Sequence, residues 1–314
     1  PFREAFGQSE YDSVIKCMNY YRENKIDPPY DGLFQKRLEA QFAEKMNSGY
    51  ALAVNSGSSA SFIALKALGL SGKSKILLSP VTDSSSFSSI VLAGYNPVIL
   101  DTAIDSYNTN LQQIKRAWDR NVMAIYLVHT YGVICKDIEQ IVEFCREKNI
   151  LLIEDCSQSP FASKHTKTGK KFAGEFGDIA CFSSMYRKTF NTSSSGGMVF
   201  TKEIKLYRKA IEYSDRGRKK WDSLNNAKDG GDIDVLSHNF NASELNCAVG
   251  LSSLQRLNIT IEKRYELVEY FRAFLESYQD YVKMMEFPEG SSPFLVPIHA
   301  WIVPALFEAS LAKK

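Results

Sequence analysis

Through the first fifty residues, apolar side chains recur at helical spacing. The pattern predicts amphipathic helices in GQSEYDSVIKCMNYYREN and LFQKRLEAQFAEKM, with Pro28-Pro29 breaking the chain between them. From Tyr50 the rhythm changes. Short runs rich in Val, Ile and Leu (YALAVNS, KILLSP, NPVILD, VMAIYLVH, ILLIED) alternate with helix-length stretches (SASFIALKALGL, SSSFSSIVLAG, TNLQQIKRAW, KDIEQIVEFCREKN). Apolar strands separated by helices predict an α/β fold, with a mostly parallel central sheet sandwiched by helices. Such sheets present ligands at the carboxyl ends of their strands.

After Asp155 the alternation loosens. GDIACFSS and GMVFT read as two more strands, and RKKWDSLNNAKDGGDIDVL as a polar loop. SELNCAVGLSSLQRLN and ITIEKRYELVEYFRAFLESY read as long helices, and VKMMEFPEGSSPFLVPIHAWIV as strand-rich. The expected organisation is a large domain over 1–255 and a smaller C-terminal α/β domain over 256–314, the latter incomplete. Composition adds exclusions. With 314 residues, 44% hydrophobic and 24% charged, the chain is ordinary globular material. No apolar run approaches the roughly 20 residues that span a bilayer, and PFREAFGQSE has no signal-peptide core. A net charge of +2 gives no footprint for nucleic acid. Six scattered cysteines without C-x-x-C suggest reduced thiols in the cytoplasm. The four histidines lack metal-ligand spacing, so no metal is expected.

Four motifs fall where such a sheet would hold a ligand. Asn55-Ser56-Gly57-Ser58-Ser59-Ala60 runs from a strand into a helix, whose first N–H groups suit a phosphate. Taken alone, an ordinary serine N-cap is the plainer explanation. Ile153-Glu154-Asp155-Cys156-Ser157-Gln158-Ser159 places two carboxylates at a strand end. Burial there demands a cation, or else the strand merely leads into a helix cap. In FSSMYRKTFNTSSSGGMVF, Ser183 precedes Lys188 and Gly196-Gly197 follows it. A buried lysine can lose its proton and work as nucleophile or base, although most lysines are solvated. His238-Asn239-Phe240-Asn241-Ala242-Ser243-Glu244 reads first as a helix cap through Asn241 or Ser243. Gly72-Lys73-Ser74 is not a P-loop, because position 67 is alanine and the helix precedes the strand.

In order, AVNSGSSA, PVT with GYNPVILD, LVHTYG, LLIEDCSQS, CFSS…K…GG and HNFNASELNCAVGLSSLQRL resemble the DegT/StrS-type sugar aminotransferases. These are fold-type-I enzymes that use pyridoxal 5′-phosphate (PLP). The resemblance runs from about Phe6 to about Arg264 and fades after about Tyr281. It implies that Lys188 is the Schiff-base lysine and that Asp155 pairs with the pyridine nitrogen, with Gln158 beside the ring. Gly57, Ser58 and Ser59 would form the phosphate-binding turn, and Ser183 would also reach the phosphate. Asn239 would reach the phosphate of a neighbouring subunit, which implies a homodimer with shared sites. A lysine in that role must be neutral when it acts, so burial should lower its pKa. Gly196-Gly197 would let the next strand pass close to the cofactor, and the serine tract would be mostly filler around that turn.

One departure stands out. Family members usually carry a ring-stacking aromatic after the threonine of the PVT turn, and this chain has Asp83 there. Either Phe87 takes over, another residue covers the ring, or the stacking is lost. The implied activity is transfer of an amino group from glutamate to a nucleotide-linked keto sugar, a keto-6-deoxyhexose, in polysaccharide or secondary-metabolite synthesis. Two rivals are kept. One is a dehydratase on the same scaffold, which replaces the lysine with histidine; the other is a non-catalytic regulator. Residues 216–220, RGRKK, are balanced between a solvated loop and a nucleotide-diphosphate contact.

Overall fold

The computed structural model describes residues 6–219, 233 and 235–300. Two helices open the chain, α1 (Gln8–Asn24) and α2 (Leu33–Lys45). Strands and helices then alternate: β1 (Tyr50–Val54), α3 (Gly57–Ala67), β2 (Lys75–Leu78), α4 (Ser84–Leu92), β3 (Asn96–Ile99), α5 (Leu111–Ala117), β4 (Val122–Val128), α6 (Ile138–Lys148) and β5 (Leu151–Asp155). A hairpin of β6 (Ser163–Thr166) and β7 (Gly169–Phe172) precedes β8 (Ile179–Ser183) and β9 (Gly197–Thr201). Helices α7 (Ile204–Ser214), α8 (Glu244–Gln255) and α9 (Leu257–Leu275) follow, with the short pair β10 (Val282–Met284) and β11 (Ile298–Ala300). The β6–β7 hairpin escapes the pattern because SKHTKTGKKF has almost no apolar residue to set a period. Most of the polar stretch after Arg218, and everything from Trp301 onward, lies outside the described residues.

The central sheet has seven strands in the order β1-β9-β8-β5-β4-β2-β3. Only β9 within it runs antiparallel to its neighbours, β1 and β8. The parallel strands β5, β4, β2 and β3 are the apolar runs of the sequence. Neighbouring residues of a strand point to opposite faces. One face packs Leu52, Val54, Ile76, Leu78, Tyr126 and Ile153 against α3, α4 and α7. The other packs Leu77, Ile125, Leu127 and Leu152 against α5 and α6. On that second face, Phe182, Met198 and Phe200 meet α1, α2 and α8.

Buried carboxylates tie the N-terminal helices to this body. Glu244, in the first turn of α8, accepts from Phe34 N at 2.9 Å and Gln35 N at 2.8 Å, the open N–H groups at the start of α2. Glu39 of α2 takes the Ala53 N–H of edge strand β1 at 2.8 Å. At the other end, residues beyond β10 fold back onto the large sheet. Ser292 N donates to Gly132 O at 2.8 Å and Phe294 N to Tyr131 O at 3.1 Å. Gly132 is required there, since a Cβ would lie 2.0 Å from Ser292 O and φ is +98°. No helix among the described residues is long and apolar enough to cross a membrane.

Candidate active site

The strand register brings the motifs to one edge of the sheet. Val128 stands opposite Asp155, and Asp155 opposite Cys181. Ser183 pairs with Gly197, which pairs with Val54 on its other side. The carboxyl ends of β4, β5, β8 and β1 therefore line up where β9 begins. The start of α3 follows β1 directly.

Alternation along β5 separates its two acidic residues. Asp155 shares the face of Ile153 and is 5% exposed. Its Oδ2 lies 3.0 Å from Tyr126 OH and accepts from Ser86 Oγ at 3.1 Å. Its Oδ1 accepts the Ser157 N–H at 2.9 Å. Burial and the Asp155 charge push the Tyr126 phenol well above its ordinary range, so it stays a donor. Thr82 Oγ1 donates to Ser86 Oγ at 2.7 Å and extends the hydroxyl chain. Glu154 points to the opposite face and is fully buried. It accepts from Gly174 N (2.9 Å), Phe176 N (2.7 Å) and Gly177 N (2.6 Å), and its Oε2 is 2.8 Å from His129 Nε2. The Cys135 N–H donates to His129 Nδ1 at 3.1 Å, which leaves the imidazole proton on Nε2, aimed at Glu154. His129, Glu154 and Cys156 lie close enough to hold a metal ion. The hydrogen bonds already engage both imidazole nitrogens and both Glu154 oxygens, so the trio is accounted for as a fold lock.

Lys188 is half-buried in the loop between β8 and β9. Burial lowers its pKa; Asp155 and Asp83 oppose that, and Arg264 adds to it. Its Nζ lies 4.1 Å from the centre of the Phe294 ring. Asp83 caps α4 by accepting the Ser85 N–H at 2.9 Å. That bond, together with the Lys188 charge, holds its carboxyl below the usual range. Phe87 is 42% exposed.

Ser56 is the N-cap of α3 and accepts from Ser59 N at 3.0 Å, so the plain cap reading of this turn holds as well. Ser59 Oγ donates to Asn55 Oδ1 at 2.6 Å, while Ser58 is exposed. Gly57 packs on Ser183, where a Cβ would come 2.6 Å from Ser183 Cβ. A Cβ on Gly197 would lie 2.4 Å from Ser56 O. Gly197 thus seats β9 against the start of α3, while Gly196 packs within its own loop, where a Cβ would lie 1.9 Å from Thr192 Oγ1. The serine tract is not filler. Ser195 Oγ donates to Asn55 O at 2.7 Å, Asn246 Nδ2 donates to Ser195 O at 3.0 Å, and Asn191 N donates to Ser253 Oγ at 2.9 Å. These bonds bind the lysine loop to α3 and α8.

Residues 24–308 match the DegT/DnrJ/EryC1/StrS aminotransferase family. The chain belongs to that family. The match begins at residue 24 and extends past Arg264 to residue 308. GDP-perosamine synthase of Escherichia coli O157:H7 is 30% identical over 250 residues, which cover 78% of this chain and 64% of that protein. The chain thus spans a little under two thirds of that relative. An aminotransferase from Psychrobacter cryohalolentis, 25% identical, superposes with a TM-score of 0.81 over 91% of this chain and 72% of the other. The E. coli GDP-4-keto-6-deoxy-D-mannose-3-dehydratase, solved with bound hydrated PLP, gives 0.84 at 22% identity over 98% and 80%. That second likeness is one of fold.

Within the family frame, the structure gathers Lys188, Asp155, Gln158, Ser183 and the Gly57–Ser59 turn at one strand edge. Gln158 Oε1 accepts the Tyr131 N–H at 2.8 Å, which leaves its amide N–H₂ as the group on offer. Tyr131 itself holds φ +57°, a costly conformation for a bulky residue. Asn239 is exposed and turned elsewhere. Its Nδ2 donates to Tyr30 OH at 3.0 Å and its Oδ1 accepts from Asn241. Arg216 of the basic run pairs with Asp215 at 2.8 Å and stands over the Tyr30 ring, while Lys220 lies outside the described residues. Tyr126 and Ser86 were missed by the motif reading, and His129, inside LVHTYG, was given no role by it. Only a polar group at an inward strand position (Tyr126) or an all-hydroxyl helix face (Ser86) hinted at them.

Proposed function

We propose that the protein is a PLP-dependent aminotransferase that moves an amino group from an amino acid, glutamate, to the keto carbon of a nucleotide-linked 6-deoxy sugar. Family membership and the relatives' names support this. The observation that carries it is the Lys188 amine, half-buried with its proton affinity lowered, within electrostatic reach of Asp155. The residues present suit the cofactor. The start of α3 at Gly57 and Ser58, with Ser59 and Ser183 beside it, is a phosphate seat. Asp155 has one oxygen saturated by hydroxyls and the other lightly used, which suits a protonated ring nitrogen. Gln158 offers its amide to a ring substituent.

When bound, PLP supplies an aldehyde to carry the amino group and a ring that withdraws electrons from the reacting carbon. Lys188 is the residue that would hold PLP through its amine, and when free of it the neutral Nζ would serve as the base that moves a proton at the substrate carbon. Asp155 would stand against the ring nitrogen, and the Tyr126 and Ser86 hydroxyls aim its carboxylate by donating to Oδ2. With the amino group carried by PLP between the two substrates, ping-pong kinetics would be expected. Asn239 reaching a second subunit, the homodimer that this implies, the division at residue 255, the cytoplasm and the polysaccharide pathway belong to the same proposal. The dehydratase reading calls for histidine where this chain has Lys188.

The test is chemical. The protein is mixed with PLP, reduced with borohydride and digested. Label on the Lys188 peptide is expected, and label on another lysine contradicts the assignment. Before reduction, L-glutamate should bleach the visible band. A band that persists favours the dehydratase or the non-catalytic reading.

A further inference from the structure

Asp83 stands where the family places its ring-covering aromatic, so some other side chain must cover the cofactor or none does. Phe87 is 42% exposed on α4, whereas the Phe294 ring centre lies 4.1 Å from Lys188 Nζ. Any group bonded to Nζ is one bond from an atom already in contact with that ring. Resting on the PLP reading, we infer that Phe294, from the segment before β11, is the aromatic cover of the cofactor's aldehyde end.

The ring is built in. Arg264 Nη1 donates to Pro293 O at 2.8 Å and Phe294 O at 3.1 Å. Arg264 Nη2 donates to Arg187 O at 3.2 Å, the carbonyl just before the lysine. The Arg264 guanidinium also lies 5.9 Å from the Phe294 ring centre. On the other side, Phe294 N donates to Tyr131 O at 3.1 Å, and Tyr131 N donates to Gln158. The segment is thus hydrogen-bonded to the residue that orients Gln158 and clamped to the lysine loop. Ser291, Ser292 and Pro293 are buried, so the backbone that carries the ring is anchored. Arg264 is accordingly a positioning residue for the cover.

The experiment uses the full chain with PLP as the probe. Borohydride labelling of the unsubstituted protein comes first. Label on Lys188 stands for the reading, and its absence overturns reading and inference together. With the label in place, Phe294→Leu should weaken PLP binding by roughly three- to tenfold, the scale of one aromatic contact. It should also reduce the circular dichroism of the bound cofactor band. Phe294→Trp should bind as the parent does, with its added indole fluorescence quenched by PLP. Phe87→Leu should behave as the parent does. Matching melting curves without PLP show that the variants fold. Parent-like binding by Phe294→Leu, an unquenched indole, or a loss carried by Phe87→Leu overturns the inference.

Discussion

Glu154 and Asp155 are neighbours on one strand and do opposite things. Glu154 enters the α5–α6 side and meets three backbone N–H groups and one imidazole. Asp155 enters the α3–α4 side and meets the hydroxyls of Tyr126 and Ser86 on one oxygen and the Ser157 N–H on the other. The Glu154 partners belong to the chain's own turn at 174–177, so they fasten β5 to that turn. The Asp155 partners aim a carboxylate whose Oδ1 accepts only the Ser157 N–H among the hydrogen bonds described. A buried acid saturated by backbone is part of the fold. One aimed by side-chain hydroxyls is equipped to serve a ligand.

The sharpest way to break that comparison is to neutralise each acid in turn. Glu154→Gln turns an amide N–H₂ toward N–H donors and should cost about 3 kcal/mol or more of stability, read from the urea midpoint, because buried charge-assisted hydrogen bonds are lost. Asp155→Asn should fold almost as the parent does. On the proposed function, its transamination rate should drop by about 10²-fold, equivalent to roughly 2.7 kcal/mol of lost charge stabilisation. If Asp155→Asn is the less stable of the two, the division between structural and functional acid collapses. Tyr126→Phe sharpens the same line. It removes one of the two hydroxyls on Oδ2, leaves Ser86, and should cost about 1 kcal/mol in stability. It should also weaken PLP binding, measured by titration of the visible band.

The sequence pattern carried most of the architecture, because short apolar runs alternate with helix-length stretches from β1 to β5. It could not announce that β9 runs antiparallel, since GMVFT is as apolar as a parallel strand. The lysine, the aspartate and the hydroxyl turn were picked out as motifs, since Asp155 ends β5, the turn holds Gly57, and Lys188 lies between β8 and the glycine pair. Tyr126 and Ser86 were not legible. Tyr126 occupies an apolar run as any core aromatic would, and its function depends on a contact 29 residues away in sequence. Phe294 was invisible for the same reason, as its contact with Lys188 is made by a segment far along the chain. Motif reading finds residues whose neighbours in sequence are special, whereas these have special neighbours only in space.

The smallest effect concerns the amine itself and separates Lys188 from the acids on pH alone. Burial sets its folded pKa below the unfolded value of about 10.4. The unfolded chain therefore binds the proton more tightly, and folding is penalised wherever the amine is protonated. That penalty is full below the folded pKa and fades as pH rises from there to the unfolded value. Lys188→Met has no such proton. Without PLP, the variant should melt slightly above the parent at pH 7, and the gap should close as pH approaches 10. Asp83, whose carboxyl the Lys188 charge helps to hold low, titrates well below pH 7 and adds no slope to the difference over this range. A gap that widens with rising pH would mean that Asp155 and Asp83 outweigh burial, leaving Lys188 an ion-pair partner rather than a base poised to lose its proton.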